Sequence, residues 1–210
     1  MQIKLENVLP GEIERRSFEI IESELKESLD PELAPIIKRV IHTTADFEYV
    51  DQLYFSEGVK EKALAALRSG CPIYTDTNMA LAGINKPALA KLNCQATCLI
   101  AEPETFQLAQ ADGTTRAVAA VKLAAQKEPE AIFVVGNAPT ALIKIYELVQ
   151  EGLLRPRLVV AVPVGFVNVV QAKELIISAK LPSIVARGRK GGSNVAAAII
   201  NALLYELTRA

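Results

Sequence analysis

From residue 72 onward, short apolar runs alternate with longer stretches whose apolar side chains recur every three or four positions, the pattern of parallel strands separated by helices. The runs predict five strands, at Pro72–Thr75, Gln95–Ile100, Ala131–Val135, Leu158–Val162 and Ser183–Ala186. The periodic stretches predict helices over Met79–Leu92, Thr114–Gln126, Thr140–Gln150, Val169–Ala179 and Val195–Thr208. In the last, Val195, Ile199 and Leu203 with Ala198 and Ala202 form a stripe suited to close packing on a sheet, and Ser193-Asn194 supplies the N-cap. Upstream the pattern is helical. Glu12–Leu29 carries Ile13, Phe18, Ile20, Ile21 and Leu25, and Pro31 and Pro35 reset the chain. A second helix follows with Ile36, Ile37, Val40 and Ile41, then a loop from Asp46 to Ser56, then a third helix from Ser56-Glu57 to the stop at Gly70. The expectation is one domain over residues 1–210: an α/β body from residue 71 onward with a helical extension, residues 1–70, packed on it.

Composition sharpens this picture. Half of the 210 residues are hydrophobic, only 5% are aromatic and none is Trp, so the core is aliphatic, as in a buried parallel sheet covered by helices on both faces. With 23 Lys+Arg against 24 Asp+Glu there is no basic excess for a sequence-independent nucleic-acid binder, and any anion must be met locally. No apolar run reaches the length of a membrane span, and Met1-Gln-Ile-Lys-Leu-Glu6 lacks a signal-peptide pattern, so a cytoplasmic protein without membrane partners is expected. Cys71, Cys94 and Cys98 have no histidine nearby and read as buried thiols, with no metal site.

Two stretches carry candidate chemistry. His42 is the only imidazole, sits at the edge of an apolar helical stripe with Lys38 and Arg39 one turn before it, and is the natural group for proton transfer near neutral pH. A helix-end histidine satisfied by a backbone carbonyl is the equal alternative. Ligands of open parallel sheets bind at the carboxyl ends of the strands. There this chain places Asp76, Thr77, Asn78 and Met79, then Gly136 and Asn137, then Val164, Gly165 and Phe166, and finally Arg187 to Asn194. In the last segment Arg187, Arg189 and Lys190 lie among Gly188, Gly191 and Gly192 just before Ser193 and a helix N-terminus, a setting for carboxylate or phosphate. A solvated basic turn is the alternative; a Walker motif cannot be placed there. Arg116 opens a helix where a cation opposes the dipole, and Arg15, Arg16 and Ser17 are either a solvated face or a ligand contact. Asn137 to Thr140 reads as a helix start with Asn as cap, which explains those residues without function.

Taken together, Ile13-Glu-Arg-Arg-Ser-Phe-Glu-Ile20, Arg39-Val-Ile-His-Thr-Thr-Ala-Asp46, Tyr74-Thr-Asp-Thr-Asn-Met79, Val135-Gly-Asn-Ala-Pro-Thr-Ala-Leu142, Pro163-Val-Gly-Phe-Val-Asn168 and Gly188-Arg-Lys-Gly-Gly-Ser-Asn194 resemble the precorrin-8X methylmutases of cobalamin biosynthesis. The resemblance runs from about residue 10 to the C-terminus. It implies a flavodoxin-like sheet of strand order 2-1-3-4-5, a homodimer, no cofactor, and an isomerase that shifts a methyl group between adjacent ring C carbons of precorrin-8X or its cobalt-bearing counterpart. The family's catalytic histidine maps onto His42, with Thr43, Thr44 and Asp46 expected to orient it. An anionic tetrapyrrole explains the basic residues near the strand ends, its flat face resting on Met79, Val164 and Phe166. A non-catalytic tetrapyrrole or anion carrier, and a nucleotide-dependent α/β transferase, are the competing readings.

Overall fold

In the computed structural model, which describes residues 5–209, the chain folds around a six-stranded sheet of order β1-β6-β5-β4-β2-β3. The first four residues of the N-terminal stretch read above, and residue 210, lie outside the described part. In chain order, a 3-10 turn at Pro10–Glu12 leads into α1 (Ile13–Glu24), α2 (Ala34–Thr44), α3 (Tyr49–Gln52), β1 (Leu53–Phe55), α4 (Val59–Arg68), β2 (Ile73–Thr75), α5 (Asn78–Gly83), α6 (Lys86–Lys91) and β3 (Ala96–Cys98). There follow α7 (Pro103–Ala111), α8 (Arg116–Lys127), β4 (Ile132–Val135), α9 (Pro139–Gln150), β5 (Leu158–Ala161), α10 (Val169–Ser178), β6 (Ser183–Ala186) and α11 (Ser193–Thr208).

Strand alternation divides the core in two. Ile73, Ile132, Val134, Leu158, Val160 and Ile184 point to the face covered by α2, α4 and α11, whereas Phe133, Val135, Val159, Ala161 and Val185 point to the face covered by α8, α9 and α10. The alanine-rich stripe of α11 lets that helix lie close to the sheet and against α2 and α5. Every strand from β2 onward pairs in parallel, so their carboxyl ends converge on one edge.

The expected all-parallel, five-stranded sheet is corrected. β1 adds an antiparallel edge strand, with Leu53, Tyr54 and Phe55 opposite Ala186, Val185 and Ile184. Three residues are too few to show alternation, which is why this segment reads as loop, and their pairing partner lies more than a hundred residues away. The first 70 residues are accordingly not helical throughout. Further differences are local. α1 stops at Glu24, where Leu25 turns extended. The single helix expected over Met79–Leu92 is two, because Pro87 is tolerated in the first turn of a helix but not in its interior; Asn85 restarts the chain, its side chain accepting from the Ala88 N–H at 2.9 Å. α7 was not anticipated: the expected strand of six residues shortens to three, and Pro103 opens a helix after it. The cap of α11 is Gly192, without a side-chain bond, not Ser193-Asn194, and that of α9 is Ala138, not Asn137.

No helix among the described residues is long and apolar enough to cross a membrane. The three cysteines are buried and form no disulfide, and burial pushes each thiol above its ordinary pKa.

Candidate active site at the carboxyl edge of the sheet

The loops after β2, β4, β5 and β6 are locked to one another by hydrogen bonds. Asp76, just past β2 and buried, accepts hydrogen bonds from three consecutive N–H groups after β4: Gly136 at 2.9 Å, Asn137 at 2.8 Å and Ala138 at 2.8 Å. Burial raises the Asp76 pKa, and these three donors oppose the rise. Asp76 was expected to touch ligand; instead its oxygens hold the β4 loop. Next to it Thr77 caps α5, accepting from the Ala80 N–H at 3.0 Å, and its hydroxyl shares a 2.8 Å hydrogen bond with that of Ser193. Ser193 therefore ties α11 to the β2 loop and does not cap its own helix.

Two glycines allow this closeness. A Cβ on Gly136 would stand 2.8 Å from Cα of Ser193, and a Cβ on Gly191 would stand 2.1 Å from the Val162 carbonyl oxygen. Gly191 also has φ +152°, a conformation that other residues rarely adopt. The Gly192 N–H donates to the Val162 carbonyl at 2.8 Å, so the β5 and β6 loops run together.

Around this packed floor stands an exposed rim. Met79 (72% exposed), Val164 (48%) and Phe166 (79%) supply apolar surface, as does Val167, which the sequence reading did not select. Arg187 lies over the Tyr54 ring (5.2 Å to the centroid), Arg189 over Phe166 (5.5 Å) and Arg116 over Phe106 (4.8 Å). Each guanidinium thus lies against an aromatic ring while its residue stays exposed to solvent. None of the three has a carboxylate partner among the described residues. Asn78 and Asn137 are exposed on the same rim, and Gly165 lies between Val164 and Phe166.

The other candidate cations are engaged. Lys190 binds Asp46 at 2.5 Å and Glu48 at 2.9 Å. Arg15 pairs with Glu12 and Glu19, and Arg16 with Glu6 and Glu19, while the Ser17 hydroxyl donates to the Ile13 carbonyl of its own helix at 2.8 Å. The main contacts of α1 run to the turn before it and to α2, and no hydrogen bond or ion pair joins Arg15, Arg16 or Ser17 to a strand-end loop among the described residues.

His42 is exposed in the last turn of α2, and that end of the helix faces the basic loop, since Asp46, just beyond it, is the partner of Lys190. The residues expected to orient the imidazole do not bond it. Thr43 donates to the Arg39 carbonyl at 3.0 Å, Thr44 to the Val40 carbonyl at 2.8 Å, and Asp46 receives Lys190 and the Glu48 N–H. Its neighbour is Phe18 of α1, ring to ring at 5.3 Å and tilted by 51°. Phe18 is held in turn beneath Arg39, whose guanidinium lies 4.7 Å from the ring centroid and pairs with Glu14. The helical stripe of α1 marked Phe18 only as a core residue.

Sequence reading also passed over Lys173. It lies fully buried on the apolar face of α10, yet its Nζ donates to the Gly188 and Lys190 carbonyls, each at 2.8 Å. A lysine among Val169, Ala172 and Ile176, at the spacing of a buried stripe, was the signal.

This edge thus carries exposed apolar side chains and three arginines without carboxylate partners among the described residues, with the end of α2 tied to one of its loops by Lys190 and Asp46: a set of groups suited to an anionic molecule with an apolar face. Comparison with known proteins points the same way. Residues 12–206 match the family model described as precorrin-8X methylmutase. The chain is 48% identical to a cobalt-precorrin-8 methylmutase of Salmonella typhimurium, covering 96% of this chain and 97% of that protein, and 42% identical to one of Methanothermobacter thermautotrophicus, covering 92% and 91%. A solved structure, a precorrin-8X methyl mutase from Thermus thermophilus, superposes with a TM-score of 0.84 at 39% identity over 92% of this chain and 96% of that one. This chain belongs to the precorrin-8X methylmutase family, the isomerases of cobalamin biosynthesis.

Proposed function

We propose that this isomerase moves a methyl group between adjacent ring C carbons of an anionic tetrapyrrole, with His42 as the proton or hydrogen-bond donor to the ring nitrogen. The observation that carries the reading is the position of the one imidazole, exposed at the end of α2 that Asp46 and Lys190 join to the arginine-bearing loop. In a formal 1,5-shift the carbon–methyl bond at one ring carbon breaks as a bond to its neighbour forms. Atoms and electrons stay within the macrocycle, so no oxidant or acceptor is consumed. The protein's task is to hold the ring and withdraw electron density from it, and a donor at the nitrogen does the second. The proton returns to His42 as the product's conjugation is set.

Holding the ring falls to the rim. Arg116, Arg187 and Arg189 meet peripheral carboxylates, and Met79, Val164, Phe166 and Val167 support the apolar face. The names of the Salmonella and Methanothermobacter relatives favour the cobalt-bearing substrate. Because methyl migration rebuilds the conjugated system, the visible spectrum after mixing pure protein with the cobalt-bearing and the metal-free substrate reports turnover directly. A stable bound spectrum with no conversion of either would leave the carrier reading.

The protein acts in the cytoplasm as a homodimer in this reading. Ile13 and Ile20, two turns apart on α1, and Leu9 before it are exposed apolar side chains that a second subunit would cover. In this reading Arg15, Arg16 and Ser17, on the same helix, meet the substrate of the partner's site. Sedimentation of the 22.7 kDa chain tests this: a fully active monomer at micromolar concentration removes the dimer and, with it, a role for those three residues.

A further inference from the structure

We propose that Lys173 is a positioning residue for substrate, shaping the Arg187–Lys190 segment from beneath so that Arg189 is presented at the rim. The inference rests on the reading of that segment as a carboxylate-binding loop.

The geometry is specific to Arg189. The Lys173 Nζ donates to the carbonyls on either side of it, Gly188 and Lys190, both at 2.8 Å, and the Arg189 carbonyl itself accepts from the Gly165 N–H at 3.2 Å. Three consecutive carbonyls are thereby held by the protein, while the Arg189 side chain stays exposed over Phe166. Gly188, at φ +71°, turns the chain at the start of the segment. The loop has no regular hydrogen-bond ladder of its own, so without Nζ two of these carbonyls lose their partner and the segment loses its shape.

A lysine here is costly unless its ammonium is used. Lys173 is fully buried, and it is the sole cation among the buried described residues. Burial lowers its pKa to about 8, which leaves it mostly an ammonium at neutral pH. Packing alone would favour Leu or Met on this face of α10. Lys173 has no carboxylate partner among the described residues, so its charge adds to the positive field that an anionic ligand meets beside Arg187 and Arg189.

The test compares Lys173→Met and Arg189→Ala, singly and together, with the cobalt-bearing substrate. Lys173→Met keeps the stem and removes the donors. KM should rise about tenfold while kcat stays within about twofold, because the lost function is binding geometry rather than proton supply. Arg189→Ala should cost about tenfold in KM in the parent and about twofold or less in the Lys173→Met background, since a misplaced guanidinium has little left to lose. A purely structural lysine would lower the melting temperature and active fraction without this coupling. Unchanged KM in Lys173→Met, or an equal Arg189→Ala effect in both backgrounds, overturns the proposal. Unchanged KM in Arg189→Ala alone instead overturns the carboxylate-binding reading of the loop. Should Lys173→Met fail to fold, Lys173→Gln, whose amide nitrogen lies one atom nearer the backbone and falls short of the two carbonyls, is read the same way: a raised KM supports the proposal, and parental KM overturns it.

Discussion

Lys190 and Asp46, 144 positions apart in the chain, meet at 2.5 Å and join the end of α2 to the loop after β6. One contact thus links the segment that carries the imidazole to the segment that carries two open arginines. It also removes Lys190 from the set of cations available to ligand, since Glu48 binds it as well.

Replacing His42 tests the donor role. A positioned acid contributes about a hundred- to ten-thousandfold in rate, so His42→Ala should lower kcat by that range, roughly 3 to 5 kcal/mol of activation free energy, with substrate binding largely kept. His42→Asn retains a neutral donor; partial recovery of rate would assign hydrogen bonding rather than proton transfer. Parental turnover in His42→Ala would end the proposal.

The three arginines of the rim should divide from the paired cations. Arg187→Ala or Arg189→Ala should weaken substrate binding by about 1 to 3 kcal/mol, and the affinity of the parent protein should fall as salt is added. Spectroscopic titration measures both. Arg15→Ala and Arg16→Ala should leave the affinity of a dilute, monomeric sample unchanged, because their guanidiniums are paired along α1.

Acid should loosen the Asp46 tie in a definite direction. The Lys190 hydrogen bond, aided by the Glu48 N–H and opposed by partial burial, holds the Asp46 carboxyl below its ordinary pKa. A carboxylate with a depressed folded value stabilises the fold fully above the unfolded value, and the contribution is lost as pH falls through the folded one. Melting curves from neutral pH downward should therefore show Asp46→Asn converging with the parent only in strong acid. Parallel curves throughout would mean that the pair adds nothing.

Gly191→Ala should be severely destabilising, by about 3 kcal/mol or more, since it combines a forbidden backbone conformation with a Cβ thrust against the Val162 carbonyl. Thermal denaturation measures it. A melting temperature within a degree or two of the parent would show that the β5 and β6 loops can separate at small cost.

The helices α2, α8, α9, α10 and α11 and the strands β2, β4, β5 and β6 were legible in the amino-acid order to within a few residues, because their signal is local: apolar spacing, a proline at a start, a glycine at a stop. The motifs around His42 and Arg189 were legible for the same reason. The edge strand was not: β1 has three residues, reads as loop, and forms only because β6 offers it an edge, while β3 falls within the expected Gln95–Ile100 run but is half as long.

Residue types and their periodicity settled the class of fold and the aliphatic core, and the resemblance of six motifs pointed to the family; which partners most of the charged side chains meet was settled by folding. Asp76, Lys190, Arg15 and Arg189 all read as polar groups that could meet a ligand, yet Asp76 is consumed by three backbone donors, Lys190 and Arg15 by carboxylates, and Arg189 alone of the four stays open. Lys173 passes the other way, from an apparent misfit in an apolar stripe to the support of the basic loop. Arg15 pairs within its own helix, but the contacts of Asp76, Lys190 and Lys173 depend on groups 15 to 144 positions apart arriving within about 3 Å, and no short window of sequence contains that distance.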